Sequence, residues 1–266
     1  MIKFGVNSVL YQGHDIETAF KHISWAGYDG IELSAIQGMC EHLDLDNWQA
    51  QVDPIKKLSE EYNLALLSME VASLDRNRLT KAFQAGQAIG IPVVNIGPGG
   101  KKDIEEDFIA QTDKMVEAAK IAEDFGMTLC CKAHVGASIY STPTTLRAME
   151  KIDSPAFGID MDPSHIFRAN ENPEEALPAV ISRVRHIHIR DCKGRGPSPG
   201  EPRDQACGRG DIDLPGYVKA MLDADYNGPV NLEIIGAGNY EMPKRDIIAA
   251  ESIGYIKACL RMLTEG

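Results

Sequence analysis

One unit recurs along the whole chain: a short β-branched apolar run followed by an amphipathic stretch of helical spacing. Eight of the apolar runs have the length and composition of buried strands. They are Lys3–Ser8, Gly30–Ser34, Ala65–Val71, Val93–Gly97, Thr128–Lys132, Phe157–Met161, His186–Arg190 and Val230–Ile235. The helix candidates include Ile16–Ala26, Trp48–Tyr62, Ile104–Phe125 and Leu214–Asp223. This alternation predicts parallel strands that are joined by right-handed crossovers.

Eight such units predict an α/β protein whose strands close into a (β/α)8 TIM barrel, a fold that typically needs about 250 residues. The chain has 266 residues, and its 24 Gly and 14 Pro are scattered rather than gathered into a linker. We therefore expect a single domain over residues 1–266. An open doubly wound sheet is the alternative, but no GxGxxG turn follows the first strand and the sequence contains no P-loop motif.

The charge of the chain disfavours two classes of partner. Its net charge is −12, and such an acidic chain gains little from a nucleic acid backbone or an anionic membrane. The first residues lack the apolar core of a signal peptide, and no apolar run reaches about 18 residues. The six cysteines form no CxxC pair. We therefore expect a cytoplasmic protein that binds neither nucleic acid nor membranes, and its assembly into a homo-oligomer stays open.

Polar side chains gather where the predicted strands end, which is where barrel enzymes place their chemistry. The residues at these ends include Glu32, Glu70, Lys132, His134, Asp162, His165, His188, Arg190 and Glu233. Carboxylates and imidazoles without thiolates suit a divalent ion such as Mn, Mg, Co or Fe(II). Such an ion can polarise a carbonyl while a nearby carboxylate or histidine moves a proton.

Some of these positions have a structural alternative. Asp162, in an Asp-Pro-Ser context, has the pattern of a helix N-cap. His188, in an alternating strand, could be a hydrogen-bonded core histidine. Glu233 lies within an apolar run, where an unpaired carboxylate is costly, so a functional role is favoured. His186 and His188 face the same side of one strand, and we take His188 as the site residue because it lies nearer the carboxyl end.

Four successive motifs resemble signatures of the sugar phosphate isomerase/epimerase superfamily, whose members have a xylose isomerase-like TIM barrel. They are Asp162-Pro-Ser-His165, His186-Ile-His188-Ile-Arg190-Asp191, Gly208-Arg-Gly210-Asp-Ile-Asp213 and Asn231-Leu-Glu233. The resemblance runs from Phe4 through the last helix. The superfamily includes ketose 3-epimerases, hydroxypyruvate isomerases, inosose dehydratases and the endonuclease IV branch. The motifs identify the superfamily well and the substrate poorly.

The resemblance implies a divalent metal, often Mn, held by Glu from strand five, Asp from strand six, His from strand seven and Glu from strand eight. Carried over by position, the metal ligands are Asp162, His188 and Glu233. Glu233 would also act as an acid/base catalyst, and His165 matches a histidine that contacts the substrate. The strand-five ligand is missing, because Lys132 stands in its place.

A protonated lysine cannot coordinate a cation, and three interpretations of Lys132 are open. It replaces the charge of the ion by pairing with Asp162 and Glu233 in a metal-free pocket. Alternatively, His134 completes a shifted metal site. In the third, Lys132 is a base or an imine-forming amine of depressed pKa, which is the weakest because neighbouring carboxylates raise a lysine pKa. An inactivating change at this position also stays open.

We therefore expect a sugar isomerase or epimerase that abstracts a proton next to the carbonyl of a ketose or keto-sugar. The expected cofactor is a divalent metal, for which Mn is the leading choice and Mg, Co or Zn are the others. Lys132 argues against a bound metal, because a protonated lysine cannot coordinate a cation. The catalytic candidates are Glu233, Lys132 and His165, and the substrate-binding candidates are His134, Glu70, Arg190 and Arg195.

Three alternatives remain. A lyase of the inosose dehydratase type would use the same residues, with the enolate expelling a β-hydroxyl. A non-catalytic binding protein or a metal-free variant of the fold is open because of Lys132. Endonuclease IV activity is disfavoured, because that branch needs a three-metal cluster with more ligands and the acidic chain offers DNA no broad basic surface.

Overall fold

The apolar runs form eight parallel strands in a computed structural model that describes residues 2–265. These strands are β1 Lys3–Asn7, β2 Gly30–Ile36, β3 Ala65–Glu70, β4 Val93–Ile96, β5 Thr128–Lys132, β6 Phe157–Asp160, β7 Val184–Ile189 and β8 Pro229–Leu232. Each strand pairs with the next, and β1 pairs with both β2 and β8, which closes the sheet. The predicted (β/α)8 barrel is confirmed. A two-residue strand, Cys40–Glu41, pairs antiparallel with the end of β2.

Helices connect the strands on the outside of the barrel. They are α1 Ile16–Trp25, α2 Trp48–Glu61, α3 Arg76–Ile89, α4 Glu105–Asp124, α5 Thr142–Lys151, α6 Pro163–Arg168, α7 Pro173–Val180, α8 Leu214–Asp223 and α9 Met242–Glu265. The four helices predicted from spacing agree with α1, α2, α4 and α8 to within one residue at each end. Aspartates cap several of them: the side chains of Asp15, Asp75 and Asp213 each accept a hydrogen bond from a first-turn backbone N–H.

Two glycines keep room for side chains that cross the barrel interior. Gly5 of β1 and Gly30 of β2 are register partners. A Cβ atom on Gly5 would overlap the Asn231 side chain, and one on Gly30 would lie 2.6 Å from Leu67 Cγ. The missing side chains therefore let Asn231 and Leu67 fill the interior, as close packing requires.

The carboxyl ends of the strands form the mouth of the barrel, and several strand bounds differ from their predictions by one to three residues. β7 begins at Val184, two residues before the predicted start, and β8 ends at Leu232 rather than Ile235. Since β8 stops at Leu232, Glu233 is the first residue beyond it. Its backbone N–H still donates to Ile189 O on β7, which holds Glu233 against the neighbouring strand.

A long segment, residues 190–213, connects β7 to α8 next to the mouth. The buried Asp191 side chain organises this segment by accepting hydrogen bonds from the backbone N–H groups of Cys192, Gly208 and Ile212. The segment is also fastened to α6, because Arg168 donates to Pro197 O. No helix within residues 2–265 is both long and apolar enough to cross a membrane.

Candidate functional site

Lys132, the last residue of β5, lies between two carboxyl groups at the mouth. Its Nζ is 2.8 Å from Glu233 Oε1 and 3.0 Å from Glu70 Oε1. Lys132, Glu70 and Glu233 are only 4%, 5% and 4% exposed. Burial acts to lower the pKa of Lys132, but the charges of Glu233 and then Glu70 outweigh it and raise that pKa above its ordinary value. Lys132 is therefore an ammonium group, which does not fit an unprotonated base or an imine-forming amine.

The two carboxyl groups beside Lys132 differ in pKa. Burial and then the charge of Glu233 raise the pKa of Glu70 to about 8. Burial acts in the same direction on Glu233, but Lys132 and then Arg190 outweigh it and hold the pKa of Glu233 well below its usual range. The pKa values of the two carboxyl groups are therefore displaced in opposite directions, which is the arrangement of an acid and a base that share a substrate.

Arg190, the first residue after β7, links the carboxylates that follow β6 and β8. Its NH2 atom lies 2.9 Å from Asp162 Oδ2, and its NH1 atom lies 3.1 Å from Glu233 Oε2. Its Nε donates to Ser164 Oγ over 2.8 Å. We call Glu70, Lys132, Asp162, Arg190 and Glu233 the mouth cluster. Sequence reasoning named all five of these residues, but it did not foresee that Arg190 pairs with two of the carboxylates.

Asp162 begins α6 as its N-cap. Its Oδ1 accepts hydrogen bonds from the Ser164 backbone N–H over 2.8 Å and from Ser164 Oγ over 2.7 Å. The capping role that the sequence left open is therefore present, together with the ion pair to Arg190. This cap fixes the direction of α6, and with it the position of His165.

His165 on α6 brings a neutral imidazole to the mouth cluster. Its Nε2 is 3.0 Å from Arg190 NH2, and its Nδ1 accepts from the Val135 backbone N–H over 3.2 Å. Burial and then the charge of Arg190 hold the pKa of His165 well below its usual range. The ring of His134, an exposed side chain, lies 4.1 Å from the His165 ring between centroids. The structure therefore brings the two predicted histidines together beside the mouth cluster.

His188 belongs to a second group, deeper in the barrel. Its Nδ1 lies 2.6 Å from Asp160 Oδ2, and its Nε2 contacts Glu32 Oε2; all three side chains are fully buried. Burial lowers the pKa of His188, but Asp160 and then Glu32 outweigh it and raise that pKa well above its usual range. Both ring nitrogens therefore face carboxylates. This is the core histidine that the sequence left as an alternative.

Asp160 and Asn7, two other members of this interior group, are not among the residues that the sequence suggested, and His186 was set aside in favour of His188. His186 Nδ1 lies 2.9 Å from Asp160 Oδ1, and Asn7 Nδ2 donates to both Glu32 Oε2 and Glu70 Oε2. Asn7 therefore connects the interior group to the mouth cluster. The signal that could have found Asp160 and Asn7 was a polar residue at the next-to-last position of an apolar run.

Carboxylates and histidines at this end of the barrel lie close enough together to hold a metal ion. In two groups the ligand atoms are within 4.8 Å of one another. These groups are Glu32, His186 and His188, and Glu70, His188 and Glu233. His188 and Glu233 are the two predicted ligands among them, and both groups include His188.

The predicted ligand set is nevertheless already paired within the protein. Glu233 faces Lys132 and Arg190, and Asp162 faces Arg190. The two ring nitrogens of His188 face the buried carboxylates of Glu32 and Asp160. A metal ion would have to displace two buried cations from these oxygens, which is electrostatically costly. The mouth cluster therefore does not fit the four-ligand centre that the resemblance implies.

Arg195, predicted to bind substrate, lies on the exposed part of the long segment. Its guanidinium donates to Phe167 O and Glu171 O and to Asn172 Oδ1, and it stacks at 3.9 Å on the Phe167 ring. These contacts fasten the segment to the last turn of α6 and to the residues that follow it. The substrate contact of Arg195 stays a prediction.

The chain matches one family model and is similar to several known proteins. A family model described as "Xylose isomerase-like TIM barrel" matches residues 20–259. The inosose dehydratase of Mesomycoplasma hyopneumoniae strain 7448 is 22% identical over 275 residues, which cover 90% of this chain and 86% of that protein. The inosose dehydratase of Clostridium beijerinckii is 26% identical over 89 residues, which cover 34% of this chain and only 30% of that protein.

Solved structures share the fold. A D-tagatose 3-epimerase-like protein superimposes with a TM-score of 0.79 at 20% identity, over 99% of this chain and 98% of that one. At this identity the likeness establishes the barrel architecture alone.

Proposed function

Since the chain belongs to the family of xylose isomerase-like TIM barrels, we propose that it is a sugar isomerase or epimerase. It would move a proton at the carbon next to the carbonyl of a ketose or keto-sugar. The observation that carries this proposal is the pair of carboxyl groups, Glu70 and Glu233, on either side of the Lys132 ammonium at the barrel mouth.

We propose opposite roles for the two carboxyl groups, because their pKa values are shifted in opposite directions. Glu233 is held ionised by Lys132 and Arg190, so it is the base that removes the proton. Glu70 keeps its proton up to about pH 8, so it is the acid that returns one. Return to the same carbon on the other face gives an epimer. Return to the neighbouring carbon of the enediol gives an isomer when the proton of the enediol hydroxyl also passes to the former carbonyl oxygen. His165 would orient a substrate hydroxyl from α6.

A dehydratase is the second candidate, because an inosose dehydratase matches 90% of this chain. The same proton abstraction by Glu233 would then be followed by loss of a β-hydroxyl, with Glu70 protonating the leaving oxygen. The two candidates use the same residues and differ in their products. Mn as a cofactor and a cytoplasmic location stay predictions.

The direct test is incubation of the protein in D2O with a panel of ketopentoses, ketohexoses and keto-inositols, followed by NMR. We expect exchange of one C–H for deuterium and formation of an epimer or isomer. Formation of an enone with loss of water would identify the dehydratase instead. Absence of exchange and of product with every member of the panel, for folded protein, would contradict both.

A pair of variants assigns the base. Glu233→Gln is expected to lower kcat about 10²–10⁴-fold, as removal of a general base does. Glu117→Gln, on an exposed pair with Lys120, is the matched control and is expected to keep full activity. Equal activity of Glu233→Gln and the wild-type protein would refute the role of Glu233.

A further inference from the structure

Two cationic side chains of the protein, Lys132 and Arg190, form ion pairs with the carboxylate oxygens at the mouth. Lys132 Nζ lies 2.8 Å from one oxygen of Glu233, and Arg190 NH1 lies 3.1 Å from the other. Arg190 NH2 lies 2.9 Å from Asp162 Oδ2. The oxygens that would bind a divalent ion in a barrel of this kind therefore face ammonium and guanidinium groups, all of them buried.

Both cations keep hydrogen-bond donors for a further acceptor. Lys132 has three N–H groups, and two point at Glu70 and Glu233. Arg190 is fully buried, and among the described residues its NH1 finds no hydrogen-bond partner of good geometry, although it lies near Glu233. A buried guanidinium nitrogen without a partner is costly unless a ligand oxygen completes its hydrogen bonds.

We infer that Lys132 and Arg190 bind the carbonyl oxygen of the substrate and stabilise the negative charge that develops on it, in place of a divalent metal ion. This inference rests on the proposed function for the identity of the reaction. It concerns how the charge is stabilised, and it applies equally to an isomerase and to a dehydratase.

The proposed proton abstraction and return conserve atoms and electrons without a cofactor. Glu233 takes the proton from the carbon next to the carbonyl, and the electron pair of that C–H bond forms a C=C bond. The π electrons of the C=O bond move to oxygen, and this enolate oxygen accepts hydrogen bonds from Lys132 and Arg190. Glu70 then donates its proton to carbon, the C=O bond re-forms, and proton transfer between the carboxyl groups restores the starting state.

The decisive experiment measures metal binding and needs no substrate. Wild-type protein is dialysed against EDTA, and its melting temperature is then followed with added MnCl2, MgCl2, CoCl2 or ZnCl2 beside metal analysis of the untreated protein. We expect substoichiometric metal and no shift in Tm. Stoichiometric metal, or a Tm that rises with any of the four ions in wild-type protein but not in Asp162→Asn, would overturn the inference.

Two substitutions at one position test the place of the cation. Lys132→Glu restores an acidic side chain, and Mn²⁺ at about 100 times its Kd is expected to raise the Tm of this variant by roughly 5–10 °C. Lys132→Gln removes the ammonium without adding a carboxylate, and we expect no such rise. A Lys132→Glu protein that gains no Mn²⁺ affinity would contradict the claim that Lys132 occupies the position of the ion. If Lys132→Glu does not fold, the metal titration of the wild-type protein still tests the inference.

Once a substrate is identified, the donors can be tested through kinetics. Arg190→Gln is expected to lower kcat about 10²–10³-fold with KM nearly unchanged, since the hydrogen bond strengthens in the transition state. An unchanged kcat would refute this role. Failure of this inference is distinct from failure of the proposed function. Proton exchange that depends on a metal would contradict only this inference. Absence of exchange in a protein that contains no metal would contradict only the proposed function.

Discussion

Replacement of Lys132 by methionine should reveal how strongly the two carboxyl groups depend on its charge. The ammonium lies 2.8 Å and 3.0 Å from Glu233 and Glu70, and the three side chains are 5–6% exposed. Removal of one partner of a buried ion pair typically costs about 3–5 kcal/mol. Methionine keeps most of the side-chain volume, so the loss of charge dominates. We expect Lys132→Met to lose about 3–5 kcal/mol of unfolding free energy in mildly alkaline buffer.

The loss should depend on pH in a defined direction. In the wild-type protein the pKa of Glu70 is about 8, already above its unfolded value, and removal of the ammonium raises it further. A carboxyl whose folded pKa is raised contributes its stability at low pH and loses it as pH rises. The difference between variant and wild type should therefore be smallest near about pH 6 and grow above about pH 8, by up to about 1.4 kcal/mol per pH unit.

Urea unfolding of both proteins at several pH values measures this difference, with the m-value as a check that the denatured state is unchanged. Lys120→Met is the matched control, because Lys120 forms a 3.0 Å pair with Glu117 in which both side chains are more than 60% exposed. Its cost should stay below about 1 kcal/mol at every pH. A Lys132→Met cost no larger than that of the control, or one that does not vary with pH, would refute the reasoning.

Two further substitutions probe the parts of the chain that hold the mouth in place. Gly210→Ala should lower the urea midpoint, at a cost of about 1–3 kcal/mol, because its Cβ would overlap Asp191 Oδ1 and lie 2.5 Å from Cys192 O. The control is Gly254→Ala in α9, where nothing lies within 4 Å of the added Cβ, and it should be neutral or stabilising. Equal effects of the two substitutions on stability would contradict the argument. Arg245→Met should cost about 2–4 kcal/mol in the same assay, because the buried guanidinium donates to four backbone carbonyls, and a cost below about 1 kcal/mol would count against it.

The fold could be predicted from the sequence because local signals repeat. The apolar runs and the helical spacing recur eight times, so each local assignment supports the others, and errors stay at the strand ends. β8 illustrates the limit: the apolar run continues to Ile235, but the strand pairing stops at Leu232. The end of a strand is decided by its neighbour, which periodicity does not describe.

The position of the candidate site in the barrel could be predicted from the sequence, but the ion pairs between its side chains could not. Strand ends converge in a barrel, so Lys132, Asp162 and Glu233 were expected together. Which cation each carboxylate faces depends on side-chain directions across the mouth, so the sequence predicts Arg190 as a substrate ligand and does not indicate its pairing with Asp162. His188 was assigned by strand position, while its two carboxylate contacts come from β2 and β6.

The proposed chemistry depends above all on one protonated and one ionised carboxyl group beside Lys132. Carbon-13 NMR titration of protein labelled at the glutamate carboxyl carbons measures this directly, with Glu70→Gln and Glu233→Gln used for assignment. Glu70 is expected to titrate at about 8, and Glu233 is expected to stay ionised throughout the neutral range. Two carboxyl groups that both titrate near their ordinary value of about 4.3 would contradict the assignment of acid and base.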